Sequence, residues 1–190
     1  AGGGGADTLT GGAGDDTYVL TPAAGAVAVI ESAGGGTDTL DYTGFSGAVT
    51  ANLRAGTATG ASSAANVERV VGGQGDDAWT GTSGNDAFVF ADGWGNDTVT
   101  DTSAADTDTL DFSAVTSDLT FTFNAGASKS VSVSDDAGNS ASGASGGVAS
   151  VTSLAAGTGD NTFIFRNGWG AFTITDAGDT DFDTLNFSAV

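Results

Sequence analysis

Large apolar residues punctuate this chain at a fixed beat, each at the centre of a short β-prone run: Leu9, Tyr18, Val29 and Leu40; then Trp79, Phe88, Val99 and Leu110; then Leu154, Phe163, Ile174 and Leu185. The steps are 9, 11 and 11 residues in all three sets. The runs have polar or small neighbours (TLT, TYVL, AVAVI, DTL), as half-buried strands do, and no window sustains a 3.6-residue apolar stripe. Two such half-turns make one coil of a flattened, parallel, all-β solenoid, with turns on alternate sides.

The beat is carried by an internal repeat. Residues 2–42 match 72–112 at a constant offset of 70, and 84–115 match 159–190 at an offset of 75. FVFADGWGNDTVTD thus lies over FIFRNGWGAFTITD, and DTLDFSAV over DTLNFSAV. We read three copies, 1–70, 71–145 and a truncated 146–190, forming one continuous solenoid, expected to be a segment of a longer array. Segments 45–71 and 116–147 keep alternation (VTANL, LTFTF, VSVS) but lose the beat, so irregular or longer coils are expected there. Within the second, 137–147 (AGNSASGASGG) reads as a mobile loop.

Charge changes the picture. The chain has 24 acidic and 4 basic residues, a formal net charge of -20, and only Glu31 and Glu68 among the acids are glutamates. Aspartate is the carboxylate of turns and metal loops. A compact body this negative repels itself and calls for cations. With no Cys and no His, neither disulfides nor thiolate or imidazole metal sites are available, which leaves hard oxygen ligands. Nucleic acid is excluded as a partner, since binding it requires Lys and Arg. Membrane insertion is excluded as well, because no apolar run approaches the ~18 residues of a spanning helix.

Four nonapeptides fit G-G-x-G-x-D-x-U-x, with U large and apolar: GGGGADTLT (2–10), GGAGDDTYV (11–19), GGQGDDAWT (72–80) and, slightly degenerate with Thr82 for the second glycine, GTSGNDAFV (81–89). A fifth, AGTGDNTFI (156–164), carries Asn161 in place of the acid. On these tandem motifs, and on the segment that follows them, the chain resembles the RTX family of calcium-binding repeats from bacterial proteins secreted by type I systems. The resemblance implies a right-handed parallel β-roll with Ca²⁺ in its Gly/Asp-rich turns. The residues agree: glycines allow the tight turn, and stacked aspartates without a cation would cost about 1 to 4 kcal/mol per pair. The competing reading is a metal-free solenoid in which Gly and Asp serve only as turn residues.

Because only two consensus nonapeptides occur in succession, ligand partners must lie one coil apart. The turn of Asp16 is expected to meet the one holding Glu31 and Asp38; Asp77 to meet Asp97; and Asp86 to meet Asp101, Asp106 and Asp108. Asn161 is expected opposite Asp181 and Asp183. Asp7 meets the acid-free turn 22–27 and should bind weakly. The expected metal ligands are therefore Asp7, Asp16, Asp38, Asp77, Asp86, Asp97, Asp108 and Asp183, with the middle copy binding best.

Other residues take plainer readings. Trp94 and Trp169 read as caps over the roll's edge rather than sugar platforms, and Trp79 as core. Paired acids such as Asp15/Asp16 or Asp135/Asp136 are not distinguished from surface turns, and with no His, Cys or nucleophile elbow no enzyme is expected. Threonine-rich strands raise an ice-binding face, but the rows are irregular. The expected role is a calcium-dependent, non-catalytic structural repeat of an extracellular or bacterial cell-surface protein, such as an adhesin, surface layer or filament subunit. Its partners are calcium ions and neighbouring repeats, or copies stacked end to end. The alternative is a folding and secretion module attached to a secreted enzyme or toxin.

Overall fold

The computed structural model describes residues 5–22, 25–101, 103, 106–124, 130–143, 151–167, 171–178 and 180–190. In chain order the strands are β1 (Thr8–Thr10), β2 (Thr17–Val19), β3 (Val27–Ile30), β4 (Thr39–Asp41), β5 (Thr50–Asn52), β6 (Thr57–Ala58), β7 (Ala61–Ala65), β8 (Arg69–Val71), β9 (Ala78–Thr80) and β10 (Ala87–Ala91). They continue with β11 (Asn96–Thr100), β12 (Asp108–Ala114), β13 (Leu119–Asn124), β14 (Ser130–Asp135), β15 (Ser140–Gly143), β16 (Val151–Ala155), β17 (Thr162–Arg166), β18 (Thr173–Thr175) and β19 (Thr184–Ala189). Among the described residues there is no helix, and so none long and apolar enough to cross a membrane.

Two sheets result. Sheet A has 12 strands in the order β1-β3-β7-β6-β5-β9-β11-β15-β14-β13-β17-β19, and sheet B has 7 in the order β18-β16-β12-β10-β8-β4-β2. Outside the two irregular segments the chain steps alternately between them, and each strand pairs in parallel with the one a coil away. The apolar beat sets the register: Leu9 pairs with Val29, Trp79 with Val99, Tyr18 with Leu40 and Phe88 with Leu110. This is the parallel-strand, solenoid-like architecture that the spacing predicts.

The irregular segments form antiparallel meanders. After β4 the chain lays β5 three places beyond β3 in sheet A; β6 and β7 then fill the gap backwards, so that β7 pairs with β3 and β5 with β9. β13, β14 and β15 repeat the manoeuvre between β11 and β17. Alternation marked these residues as strands, but strand direction depends on turns the beat does not record. The loop expected at 137–147 is confined among the described residues to 137–139, for Ser140–Gly143 is strand β15 and 144–147 lie outside them.

The third copy sits half a coil out of phase. β16 pairs with β12 as β8 pairs with β4, and β17 with β13 as β9 with β5. Leu154, aligned by sequence with Trp79, is consequently on the opposite sheet. The third copy has one glycine-rich nonapeptide where the others have two, so one half-coil is missing and all that follows changes face. Its DTL strand, β19, lies in sheet A, whereas β4 and β12 lie in sheet B.

A single apolar cluster fills the space between the sheets, from Tyr18 to Phe165. Its densest part is a run of rings: Phe90 stacks on Phe112 at 4.1 Å, Phe112 meets Phe121 edge-on at 5.6 Å, and Phe121 stacks on Phe163 at 5.0 Å. Full burial of each contributes roughly 1.5–3 kcal/mol. Trp79 is core, as expected. Trp94 is not an edge cap: it is 1% exposed and packs edge-on against Phe112 at 5.5 Å, because the glycines around it let the ring turn inward. Trp169 lies outside the described residues.

Candidate metal centres

Four of the five nonapeptides carry two polar residues with different tasks at their fifth and sixth positions: Asp15 and Asp16, Asp76 and Asp77, Asn85 and Asp86, Asp160 and Asn161. The first is exposed and clamps the coil above: Asp15 Oδ1 accepts the Thr37 amide at 2.8 Å, Asp76 Oδ1 that of Asn96 at 2.9 Å, Asn85 Oδ1 that of Thr107 at 2.9 Å, and Asp160 Oδ1 that of Phe182 at 2.9 Å. Asparagine serves as well as aspartate here, so the rung needs an acceptor and no charge. The second residue reverses the direction. The backbone amides of Asp16, Asp77, Asp86 and Asn161 donate to Oδ1 of Asp38, Asp97, Asp108 and Asp183, at 2.9, 2.8, 2.9 and 2.9 Å. One oxygen of each upper carboxylate is thereby tied to a backbone amide.

Among the described residues, three carboxylate clusters stand on these rungs. Asp16, Glu31 and Asp38 form the first, Asp86, Asp101 and Asp108 the second, and Asp176, Asp181 and Asp183 the third; in each, one oxygen per residue lies within 4.8 Å of the others. Glu31, Asp101 and Asp176 hold one register position in the three copies, immediately after β3, β11 and β18. The first two clusters occupy turns leading from sheet A into sheet B. The third, displaced by the missing half-coil, occupies turns leading from B into A.

The middle cluster is the most enclosed, with Asp86, Asp101 and Asp108 at 2, 1 and 0% exposure. The Thr82 amide donates to Asp86 Oδ2 at 2.6 Å. Burial pushes the Asp86 carboxyl up to about 7, against the lowering effect of the Thr82 hydrogen bonds, and Asp108 and Asp101 push it further. In the first cluster the Tyr18 hydroxyl donates to Glu31 Oε1, and burial raises the Asp38 carboxyl. Asp16 Oδ2 is buried there without a hydrogen-bond partner.

Glycine makes room for the oxygens. A Cβ at Gly11 would collide with Glu31 Oε1 and Asp16 Oδ2, and one at Gly81 with Asp101 Oδ2 and Asp86 Oδ2. Neither glycine has a positive φ, in contrast to Gly12 at +109° and Gly14 at +104°. Their role is therefore space for carboxylates rather than turn conformation.

The first two clusters belong to a longer column. Thr17, Thr39, Arg69, Ala87 and Thr109 are successive register partners across sheet B. The residues just before them are Asp16, Asp38, Glu68, Asp86 and Asp108, acids on adjacent strands ~4.8 Å apart. Glu68 Oε2 accepts the Asp38 amide at 3.1 Å, which links the first cluster to the next coil. Glu68 follows the first meander, where the beat is lost, and so is not marked as a ligand by the spacing. Glu31 and Asp101 are expected in the facing turns but not among the ligands, and Asp176 is not expected at all; their common register is the signal in the sequence that identifies them.

The remaining expected ligands are placed differently. Asp77 and Asp97 come together, with Asp77 Oδ1 accepting the Val49 amide at 2.7 Å and Oδ2 that of Gly73 at 3.2 Å, but among the described residues no third acid joins them in a cluster. Only Asp97 Oδ2 lacks a partner, and burial pushes that carboxyl up to about 8. Asp7 stands beneath the turn ending at Val27 and belongs to none of the three clusters among the described residues.

These donor sets are all oxygen, and two oxygens on one calcium lie no more than about 5 Å apart, so the cluster dimensions suit Ca²⁺. The orphaned Asp16 oxygen and the glycine-lined spaces at Gly11 and Gly81 fit the same ion. No family model and no curated protein matches the chain.

Proposed function

We propose that this chain is a calcium-dependent, non-catalytic structural repeat of an extracellular bacterial surface protein, folded as a closed, right-handed parallel β-roll. The observation carrying this reading is the recurrence of a three-carboxylate cluster beside a space-making glycine in the first two copies. Asp16, Glu31 and Asp38 would hold one ion, and Asp86, Asp101 and Asp108 another. Bound calcium supplies positive charge and oxygen coordination between successive coils.

The protein's own residues supply the rest. Backbone amides fix one oxygen of Asp38 and of Asp108, glycines keep the remaining oxygens free to converge, and stacked rings between the sheets give each coil its apolar face. Without cations the acid column repels itself; with millimolar calcium outside the cell the column becomes a seam. Edge strands β18 and β19, with Leu185 and Phe187 of β19 at 59 and 48% exposure and Phe182 of the turn before it at 82%, give a further coil or a second copy a place to pair. This suits an adhesin, surface layer or filament.

Circular dichroism of EDTA-stripped protein titrated with calcium tests the reading. The expected result is a rise in β signal over the titration. A full β signal before calcium is added would sink it.

A further inference from the structure

We infer that the third copy's centre is closed to calcium by two residues of its own, Asn161 and Ala156, so that this coil is fastened without metal. The inference rests on reading the first two clusters as calcium centres and concerns what separates the third from them.

At the 75-residue offset, Asn161 takes the place of Asp86 and Ala156 that of Gly81. Asn161 is fully buried and every polar atom of it is engaged. Its backbone amide donates to Asp183 Oδ1 at 2.9 Å, as the Asp86 amide does to Asp108, and its Oδ1 accepts the Leu119 amide at 3.2 Å. Nδ2 donates to the Gly157 carbonyl at 3.1 Å and to Asp176 Oδ1 at 3.4 Å. In the middle copy this position supplies a carboxylate facing Asp101. In the third it supplies an N–H aimed at Asp176, a donor occupying the role of the cation.

Ala156 acts on space. In the first two copies a Cβ at Gly11 or Gly81 would strike the converging carboxylates. Ala156 carries that methyl and is 0% exposed. Asp176 Oδ2 accepts the Gly178 amide at 2.9 Å, as Asp101 Oδ1 accepts that of Ser103 at 2.6 Å, so the oxygen that Asp176 turns to the centre is the one that meets the Asn161 amide. With an amide at Asn161 in place of the rung carboxylate and a methyl at Ala156 in place of glycine, the third set lacks the charge and the space that the other two share at these positions.

The test counts calcium ions by equilibrium dialysis and isothermal titration on the full 190-residue chain, for wild type, Asn161→Asp/Ala156→Gly, Asp176→Asn and Asp86→Asn. The double variant should bind one ion more than wild type, Asp176→Asn should leave the wild-type count unchanged, and Asp86→Asn should lower it by one. Asn161→Asp alone should gain its ion at least tenfold more weakly than the double variant, because the Ala156 methyl remains. No gain in a double variant with an unchanged circular dichroism spectrum overturns the inference, as does a lower count for Asp176→Asn. The Asp176→Asn count decides the matter even if the double variant fails to fold. A wild-type chain that binds no calcium overturns the reading of the first two clusters and this inference with it.

Discussion

Asp86 donates its backbone amide to Oδ1 of Asp108, one coil above, at 2.9 Å, and both side chains are buried. The rung therefore combines a favourable hydrogen bond with an unfavourable meeting of like charges. Asp108→Asn keeps the acceptor and removes the charge. The expected outcome has two signs: the metal-free chain gains about 1 kcal/mol from relieved repulsion, while calcium affinity falls roughly tenfold or more as the cluster loses a charged ligand. Thermal unfolding with EDTA and calcium titration read the two separately, and a loss of stability without metal would contradict the repulsion.

Burial raises the Asp86 carboxyl to about 7 and the Asp97 carboxyl to about 8, whereas an unfolded aspartate titrates near 3.9. A raised folded-state value means that the native chain holds protons the unfolded chain has released. The stability tied to those protons is complete below about pH 3.9 and is lost as pH rises through 7 to 8. Metal-free protein should accordingly melt higher at pH 5 than at pH 8. Calcium needs the deprotonated carboxylates, so its stabilising effect should run the other way and be larger at pH 8. Melting temperatures across pH, with EDTA and with calcium, check both slopes.

Gly81 and Gly84 lie in one nonapeptide but are asked for different things. A Cβ at Gly81 would enter the space of the Asp86 and Asp101 carboxylates, whereas one at Gly84 would only touch Thr82 Oγ1 at 3.7 Å. Gly81→Ala should cost about 1–3 kcal/mol as an overpacking substitution and weaken the binding of one calcium ion at least tenfold. Gly84→Ala should leave that binding unchanged. Equal effects of the two would mean that the glycines matter for turn conformation alone.

The beat was legible because a register partner one coil away repeats the same apolar requirement: Leu9 and Val29, or Phe88 and Leu110, face the same interior. The pairings of Asp16 with Asp38 and of Asp86 with Asp108 followed from that spacing. The half-coil displacement of the third copy did not. Identity at an offset of 75 aligns Leu154 with Trp79 and is blind to which sheet either one enters, since both faces of the stack demand an apolar centre. Direction was hidden in the meanders for a similar reason. Phe121 and Val133 alternate with polar residues whether β13 and β14 run parallel or antiparallel, and the structure pairs them antiparallel.

Phe121 joins the second meander to the regular coils on both sides. Its ring meets Phe112 of sheet B edge-on at 5.6 Å and stacks on Phe163 of the neighbouring sheet-A strand at 5.0 Å, and it is fully buried. No carboxylate cluster includes it, so its contribution is apolar contact alone. Phe121→Ala should cost about 3–5 kcal/mol, the range for an aromatic deleted from a packed core. Unlike Asp108→Asn, it should do so by a similar amount with and without calcium, while the ion count of the folded fraction stays at the wild-type value. Denaturant unfolding in EDTA and in saturating calcium gives the comparison. A loss confined to the calcium-loaded state would place Phe121 in support of a metal centre, and the division between apolar stacking and carboxylate seams would fail at this residue.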